Sequence, residues 1–230
     1  MKLLSLDTST HACSAALFID GEVLERFELT PKAHTKLLLP MISSLLAQAQ
    51  LNLTQLDALA FGCGPGSFTG LRIATGVVQG LAFGADLPVV PVSTLAALAQ
   101  KILPDLAFVA TDARIGEIFW GVYQKNAAGF MELVGNEAVL PVSEIMFPNQ
   151  NAVGIGSGWQ VYENELTERT KNLVLEIHSD VLPSATEIAK LGVYGFQCGL
   201  SVAAEQAQPV YLRDKVAQTE LERAISKATL

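Results

Sequence analysis

The stretch Gly62-Cys63-Gly64-Pro65-Gly66-Ser67-Phe68-Thr69-Gly70-Leu71-Arg72 decides how this 230-residue chain is read. Before it comes DALAFG (57–62), an apolar run suited to a buried strand; after it, residues 67–85 have helical character. A glycine-rich turn between a buried strand and a helix can hold an anion on backbone N–H groups at the helix start, with Ser67 or Thr69 as N-cap. The same glycines equally suit a tight turn with something packed close to the backbone. No GK[ST] follows and GxGxxG is only approached, so neither nucleotide fingerprint applies.

Outward from this turn the chain alternates regularly. Residues 2–7 (KLLSLD) and 12–19 (ACSAALFI) read as strands, and Asp20-Gly21 followed by EVLERFEL reads as a hairpin into a third. A helix over 35–50, the strand at 57–62, the helix at 67–85, a short strand PVVPV (88–92) and a helix capped by Ser93 complete a βββαβαβα order. From Pro104 a similar order restarts, with strands at 106–112, 117–124 and 129–140. A helix at about 142–147, a strand AVGIGSG (152–158), a polar helix from Trp159, a strand at 173–178 and a long helix from Ser184 to about Gln206 follow. The halves read as degenerate copies. Two closely packed α/β lobes are expected, residues 1–103 and 104–207, with 208–230 returning to the first.

Composition narrows the function. Fifteen basic against 23 acidic residues leave a net charge of −8, which argues against a phosphate-neutralising surface; contact with nucleic acid is expected only through a partner. Mean hydropathy is high at +0.35, yet no run of 18 apolar residues exists, so no membrane span is expected. The apolar stretch in MKLLSLDTSTHACS is too short for a signal peptide, and a cytoplasmic address is expected. Three cysteines without CxxC, and His11, His34 and His178 without helix-turn spacing, predict neither a disulfide framework nor a metal site.

Four features could carry function. Gly76, Gly80 and Gly84 recur at i+4 and strip one helix face, for packing against either the chain's own sheet or another subunit. In helix 35–50, Leu37, Leu38, Leu39, Met41, Ile42, Leu45, Leu46 and Ala49 cover an arc of about 200°, twice what one core face needs. Either the helix is sandwiched internally or part of it, centred on Leu38, Leu45 and Ala49, meets a partner. Asp7, followed by Thr8 and Ser9, and Asp112 end corresponding strands and could flank a Mg-nucleotide, or serve as caps and ion-pair partners. GIGSGW (154–159) suits a loop under a nucleoside or a plain turn. No serine, cysteine or threonine has an assignable histidine base, so a nucleophilic hydrolase is unsupported.

At DTSTHACSAAL (7–17), AHTKLLLP (33–40), GCGPGSFTGLRI (62–73) and PVYLR (209–213) the chain resembles the TsaB (YeaZ) family, a component of the bacterial machinery that makes threonylcarbamoyladenosine in tRNA. The resemblance spans essentially the whole chain. It implies an α/β fold of two ribonuclease-H-like lobes in the actin, sugar-kinase and Hsp70-like (ASKHA) superfamily, shared with the catalytic relative TsaD. In TsaD a His-x-x-x-His pair binds the metal used in threonylcarbamoyl transfer; the equivalent positions here are Thr94 and Leu98. The resemblance therefore implies a non-catalytic subunit that binds no metal or cofactor alone. It also implies a heterodimer with TsaD through Leu37, Leu38, Met41, Ile42, Leu45, Ala49, Arg72, Gly76 and Gly80, a homodimer when TsaD is absent, and further association with the ATPase TsaE. ATP or ADP would sit at a junction of the assembled complex, and tRNA would be reached only through it. The alternative is a stand-alone metallopeptidase or nucleotide-dependent enzyme.

Overall fold

The computed structural model describes residues 1–30 and 32–213. Strands β1 (Lys2–Asp7), β2 (Ala12–Ile19) and β3 (Glu22–Leu29) form an antiparallel meander. Asp20 and Gly21 both take positive φ between β2 and β3, as a tight hairpin turn requires. Then come α1 (His34–Gln48), β4 (Ala58–Gly64), α2 (Phe68–Ala85), β5 (Val89–Ser93) and α3 (Thr94–Ile102). β4 joins β1 in parallel and β5 joins β4, giving the order β3-β2-β1-β4-β5. The central strands β1 and β4 are almost wholly buried, which is why they read as continuous apolar runs. The edge strand β3 carries Glu22, Glu25, Arg26 and Glu28, which discourage further strand addition.

The second half repeats this plan. β6 (Leu106–Arg114), β7 (Glu117–Lys125) and β8 (Met131–Pro141) form the meander, and β9 (Ala152–Ile155) and β10 (Val174–His178) add in parallel, giving β10-β9-β6-β7-β8. Between β9 and β10 lie α4 (Gly158–Val161) and α5 (Glu163–Thr170). The duplicated α/β architecture is the one the sequence implied.

Three element boundaries differ from expectation. Only a single 3-10 turn, Val142–Glu144, forms where a helix over 142–147 was expected, in a segment hemmed by Pro141 and Pro148. β9 stops at Ile155 because Gly156, at φ +102, turns the chain into α4. The long terminal helix is α6 (Ala185–Gln197) alone: Gly199 takes φ +74 and the Leu200 N–H bonds back to the Gly195 carbonyl, closing the helix end.

α6 also changes the lobe boundary. Expected within the second lobe, it packs on the first sheet, with Ile188 and Ala189 buried among Leu3, Ala58 and Ala60. A Cβ at Gly192 would lie 2.6 Å from the Ala60 Cβ, so only glycine lets helix and sheet approach this closely. The other face of that sheet is covered by α1 and α2 around Leu4, Leu6, Leu59 and Phe61. α3 joins the lobes: Leu95, Leu98 and Ala99 are buried with Ala107, Val109, Tyr123, Met131 and Ile155 of the second sheet. Ser93 caps α3 as expected, accepting from the Leu95 and Ala96 N–H groups.

Candidate functional site

The two most distinctive motifs meet each other. The Asp7-Thr8-Ser9 turn lies against the glycine turn after β4, and its backbone occupies the space that side chains there would need. A Cβ at Gly66 would be 2.6 Å from the Ser9 carbonyl oxygen, and one at Gly70 only 1.9 Å from that of Thr8. The Ser67 N–H donates to the Ser9 carbonyl at 2.7 Å, and the Thr8 hydroxyl donates to the Gly70 carbonyl at 2.7 Å. Ser67 is the N-cap of α2, accepting from the Gly70 N–H. Of the two readings of this turn, close packing is the one realised, and the Ser67 amide is already committed.

Beneath the turn, Asp7 is fully buried. Its Oδ2 accepts from the Ser9 N–H and hydroxyl, while Oδ1 has no partner and faces Gly62, where a Cβ would approach to 2.0 Å. Burial raises its pKa to about 6, with the Ser9 hydrogen bonds pulling weakly the other way. Thr94 covers the same place from α3, its hydroxyl donating to the Pro65 carbonyl, and Leu98 is sealed in the apolar junction. Thr8 and Ser9 are buried with Asp7. Asp112 is occupied differently: its carboxylate accepts from the Arg114 N–H and the Tyr162 hydroxyl, bracing the β6–β7 hairpin. Gly156 and Gly158 of the GIGSGW loop pack on the Ala110 carbonyl, and Trp159 donates to the Phe108 carbonyl, so that loop is a structural turn. Among the described residues no group of three His, Cys, Asp or Glu side chains is placed to hold a metal ion. The Cys63 thiol is pushed up to about 12 by burial and by Glu137, and is held in its neutral form.

The helix pair required a correction. Leu38, Met41, Ile42 and Leu45 point into the first lobe's own core, with Leu38 and Leu45 fully buried. They cannot form an outer surface, because α1 uses this stripe to cover the sheet. Leu37, Leu46 and Ala49 are half-buried at its edges, leaving Leu39 exposed. The wide apolar arc is thus largely an internal sandwich. α2 behaves oppositely. Its inward face, Leu71, Ala74, Thr75, Val78 and Ala82, is buried, whereas Gly76, Gly80 and Gly84 are exposed and a Cβ at any of them would meet nothing within 4 Å. Packing on the chain's own sheet does not explain them.

A family model described as "TsaD: tRNA N6-adenosine threonylcarbamoyltransferase" matches residues 27–221. A relative in Escherichia coli K12 named "tRNA threonylcarbamoyladenosine biosynthesis protein TsaB" is 41% identical over 96% of this chain and 98% of its own length. Its namesake in Haemophilus influenzae is also 41% identical, over 96% of this chain and 97% of that one. The chain belongs to the TsaB family. A solved structure described as YeaZ from Pseudomonas aeruginosa is 44% identical and superposes with a TM-score of 0.85 over 92% of this chain and 99% of that one. The family's role in the biosynthesis of threonylcarbamoyladenosine in tRNA is therefore the setting for this chain.

Within a TsaB fold, three features escaped the sequence reading. Phe83 is 84% exposed. At about 100° per residue it shares with Arg72, Gly76, Gly80 and Gly84 an arc of about 120° on α2; an aromatic among spaced glycines was the available signal. Phe68, Arg72 and Tyr211 form a stack, with the Arg72 guanidinium 3.6 Å from the Phe68 ring centroid and its Nε donating to the Tyr211 hydroxyl at 3.0 Å. Finally, Glu137 accepts from both Ser93 and Tyr123, tying β8 to the start of α3. No local motif announces that contact.

Proposed function

We propose that this chain is a non-catalytic subunit that pairs with TsaD, with TsaE as a further partner, to support threonylcarbamoylation of the adenosine beside the anticodon of tRNA. The observation that carries this reading is the open face of α2. Gly76 and Gly80, interior to α2, cost about 1 kcal/mol each relative to alanine, and Gly84 continues the stripe into the last turn. Among the described residues, nothing exploits the space they leave. A flat, glycine-lined face with the exposed Phe83 and Arg72 beside it suits close approach of a second helix, with an aromatic and an arginine as anchors. With TsaD absent, the same face would pair two copies of this chain. Any nucleotide belongs to a junction of the assembled complex, and tRNA is reached through the partner, in keeping with a net charge of −8.

The side chains at the base of the cleft support a non-catalytic role. Leu98 offers no ligating atom, the Thr94 hydroxyl is spent on Pro65, and Asp7 is sealed beneath them. The rival is a stand-alone metallopeptidase or nucleotide-dependent enzyme, and one neighbouring Pseudomonas aeruginosa structure is described as similar to a peptidase. That reading needs reactive groups open to the cleft, and the buried Asp7 and Cys63 do not supply them. The test is copurification with TsaD, followed by in vitro tRNA modification with and without this chain. Modification that proceeds equally without it, or peptidase or ATPase turnover by the isolated chain, refutes the proposal.

A further inference from the structure

The junction between the lobes is built unequally on its two sides. At the back, α3 is buried against the second sheet, and Gln100 accepts from the Met131 N–H at 2.9 Å and donates to the Gly129 carbonyl. Ser93 and Tyr123 share Glu137, and Tyr194 of α6 stacks on Phe130 with 4.3 Å between ring centroids. At the front, a cleft of about 1270 Å³ opens between the lobes, walled by Ser67 and Thr69 on one side and Thr111 and Ser157 on the other.

Residues 207–213 are fastened to the first lobe, Ala207 within its core and residues 210–213 lining this cleft. The Gln79 side chain donates to the Ala207 carbonyl at 2.9 Å, the Val210 N–H donates to the Cys63 carbonyl at 2.7 Å, and Tyr211 joins the Phe68–Arg72 stack. Arg213 then reaches the β6–β7 hairpin of the second lobe. Its guanidinium donates to the Ala113 carbonyl at 3.0 Å, to the Arg114 carbonyl at 3.3 Å and to the Glu117 carboxylate. Among the described residues, every other hydrogen bond between the lobes involves Ser93, Gln100 or Lys101 around α3, or Tyr194 on α6. Apart from the connecting segment 179–183, which also lines the cleft, the described residues bridge the front through Arg213 alone.

We infer that residues 207–213 form a clasp that sets the angle between the lobes, with Arg213 as its release point. A back held by the apolar α3 contacts and a small set of polar bonds, Glu137 with Ser93 among them, can act as a hinge, and the amplitude at the mouth is then governed by what crosses it. A guanidinium fork suits this task because it satisfies two carbonyls and a carboxylate at once, in a fixed plane. Both side chains are only partly exposed, 20% for Arg213 and 31% for Glu117, so water screens the pair less than a surface ion pair. Releasing Arg213 leaves the α3 junction intact and frees the cleft to widen.

The test places spin labels at Lys32→Cys and Gln160→Cys, exposed positions on opposite walls of the cleft. The background carries Cys198→Ala, because Cys13 and Cys63 are buried and Cys198 is exposed. The distance distribution is measured for the full chain with and without Arg213→Gln. The clasp requires the variant distribution to lengthen and broaden while the melting profile stays cooperative. A distribution unchanged from that of the parent overturns it. Should Arg213→Gln fail to fold, Glu117→Gln removes the charge from the other side while keeping its shape, and the same two outcomes apply.

Discussion

Gly80→Leu separates the fold from the partner surface with opposite signs. In the monomer a leucine at position 80 enters open space, since a Cβ there meets nothing within 4 Å. Glycine is about 0.7 kcal/mol worse than leucine in a helix interior, so the variant should be slightly more stable than the parent. For a chain of 230 residues that corresponds to a rise of about 2 °C in melting temperature. In a complex that uses the glycine face, the same side chain must push the partner outward, and overpacking of this kind costs about 1–3 kcal/mol. The dissociation constant should then rise by about fivefold to 150-fold. Thermal melting and titration calorimetry against TsaD read the two effects separately, with Gly80→Ala as a milder control. A fall in melting temperature would mean that the face is packed within the monomer. Unchanged affinity with intact folding would mean that α2 is not the partner surface.

The same kind of substitution should act in reverse ten residues earlier: Gly70→Ala places a Cβ 1.9 Å from the Thr8 carbonyl oxygen, so its melting temperature should fall where that of Gly80→Ala rises. Leu38→Ala removes a fully buried side chain from the first lobe's core and should cost about 2–5 kcal/mol in urea unfolding, far beyond what an interface residue exposed in the monomer would cost. Asp7→Asn should stabilise the chain at pH 7.5. The Asp7 pKa is raised from 3.8 to about 6, so the native state holds that proton more tightly than the unfolded chain. The group's favourable contribution is complete below about pH 4 and is lost as pH rises through 6. The gain from asparagine should approach about 3 kcal/mol above that range and vanish near pH 4; a pH-independent difference in urea unfolding would refute the buried, high-pKa carboxylate.

The sequence by itself determined the duplicated strand and helix order, the Asp20-Gly21 hairpin, the Ser67 and Ser93 caps and the family, because these depend on local turn chemistry, periodicity and short motifs. It did not determine which side of an amphipathic element faces out. The apolar arc of α1 and the glycine stripe of α2 both read as candidate partner surfaces, and only packing distinguished them: α1 spends Leu38, Met41, Ile42 and Leu45 on its own sheet, whereas Gly76, Gly80 and Gly84 face open space. Nor could it show that α6 crosses back to the first lobe, since an amphipathic helix carries no label for the sheet it will cover. That DTST and GPGSFTG are two halves of one contact, with Thr8 and Ser9 backbone filling the room left by Gly70 and Gly66, is likewise a tertiary fact. Residues about 60 apart are brought together by β1 and β4 pairing in parallel, and the close approach that makes the glycines necessary exists only after that pairing has formed.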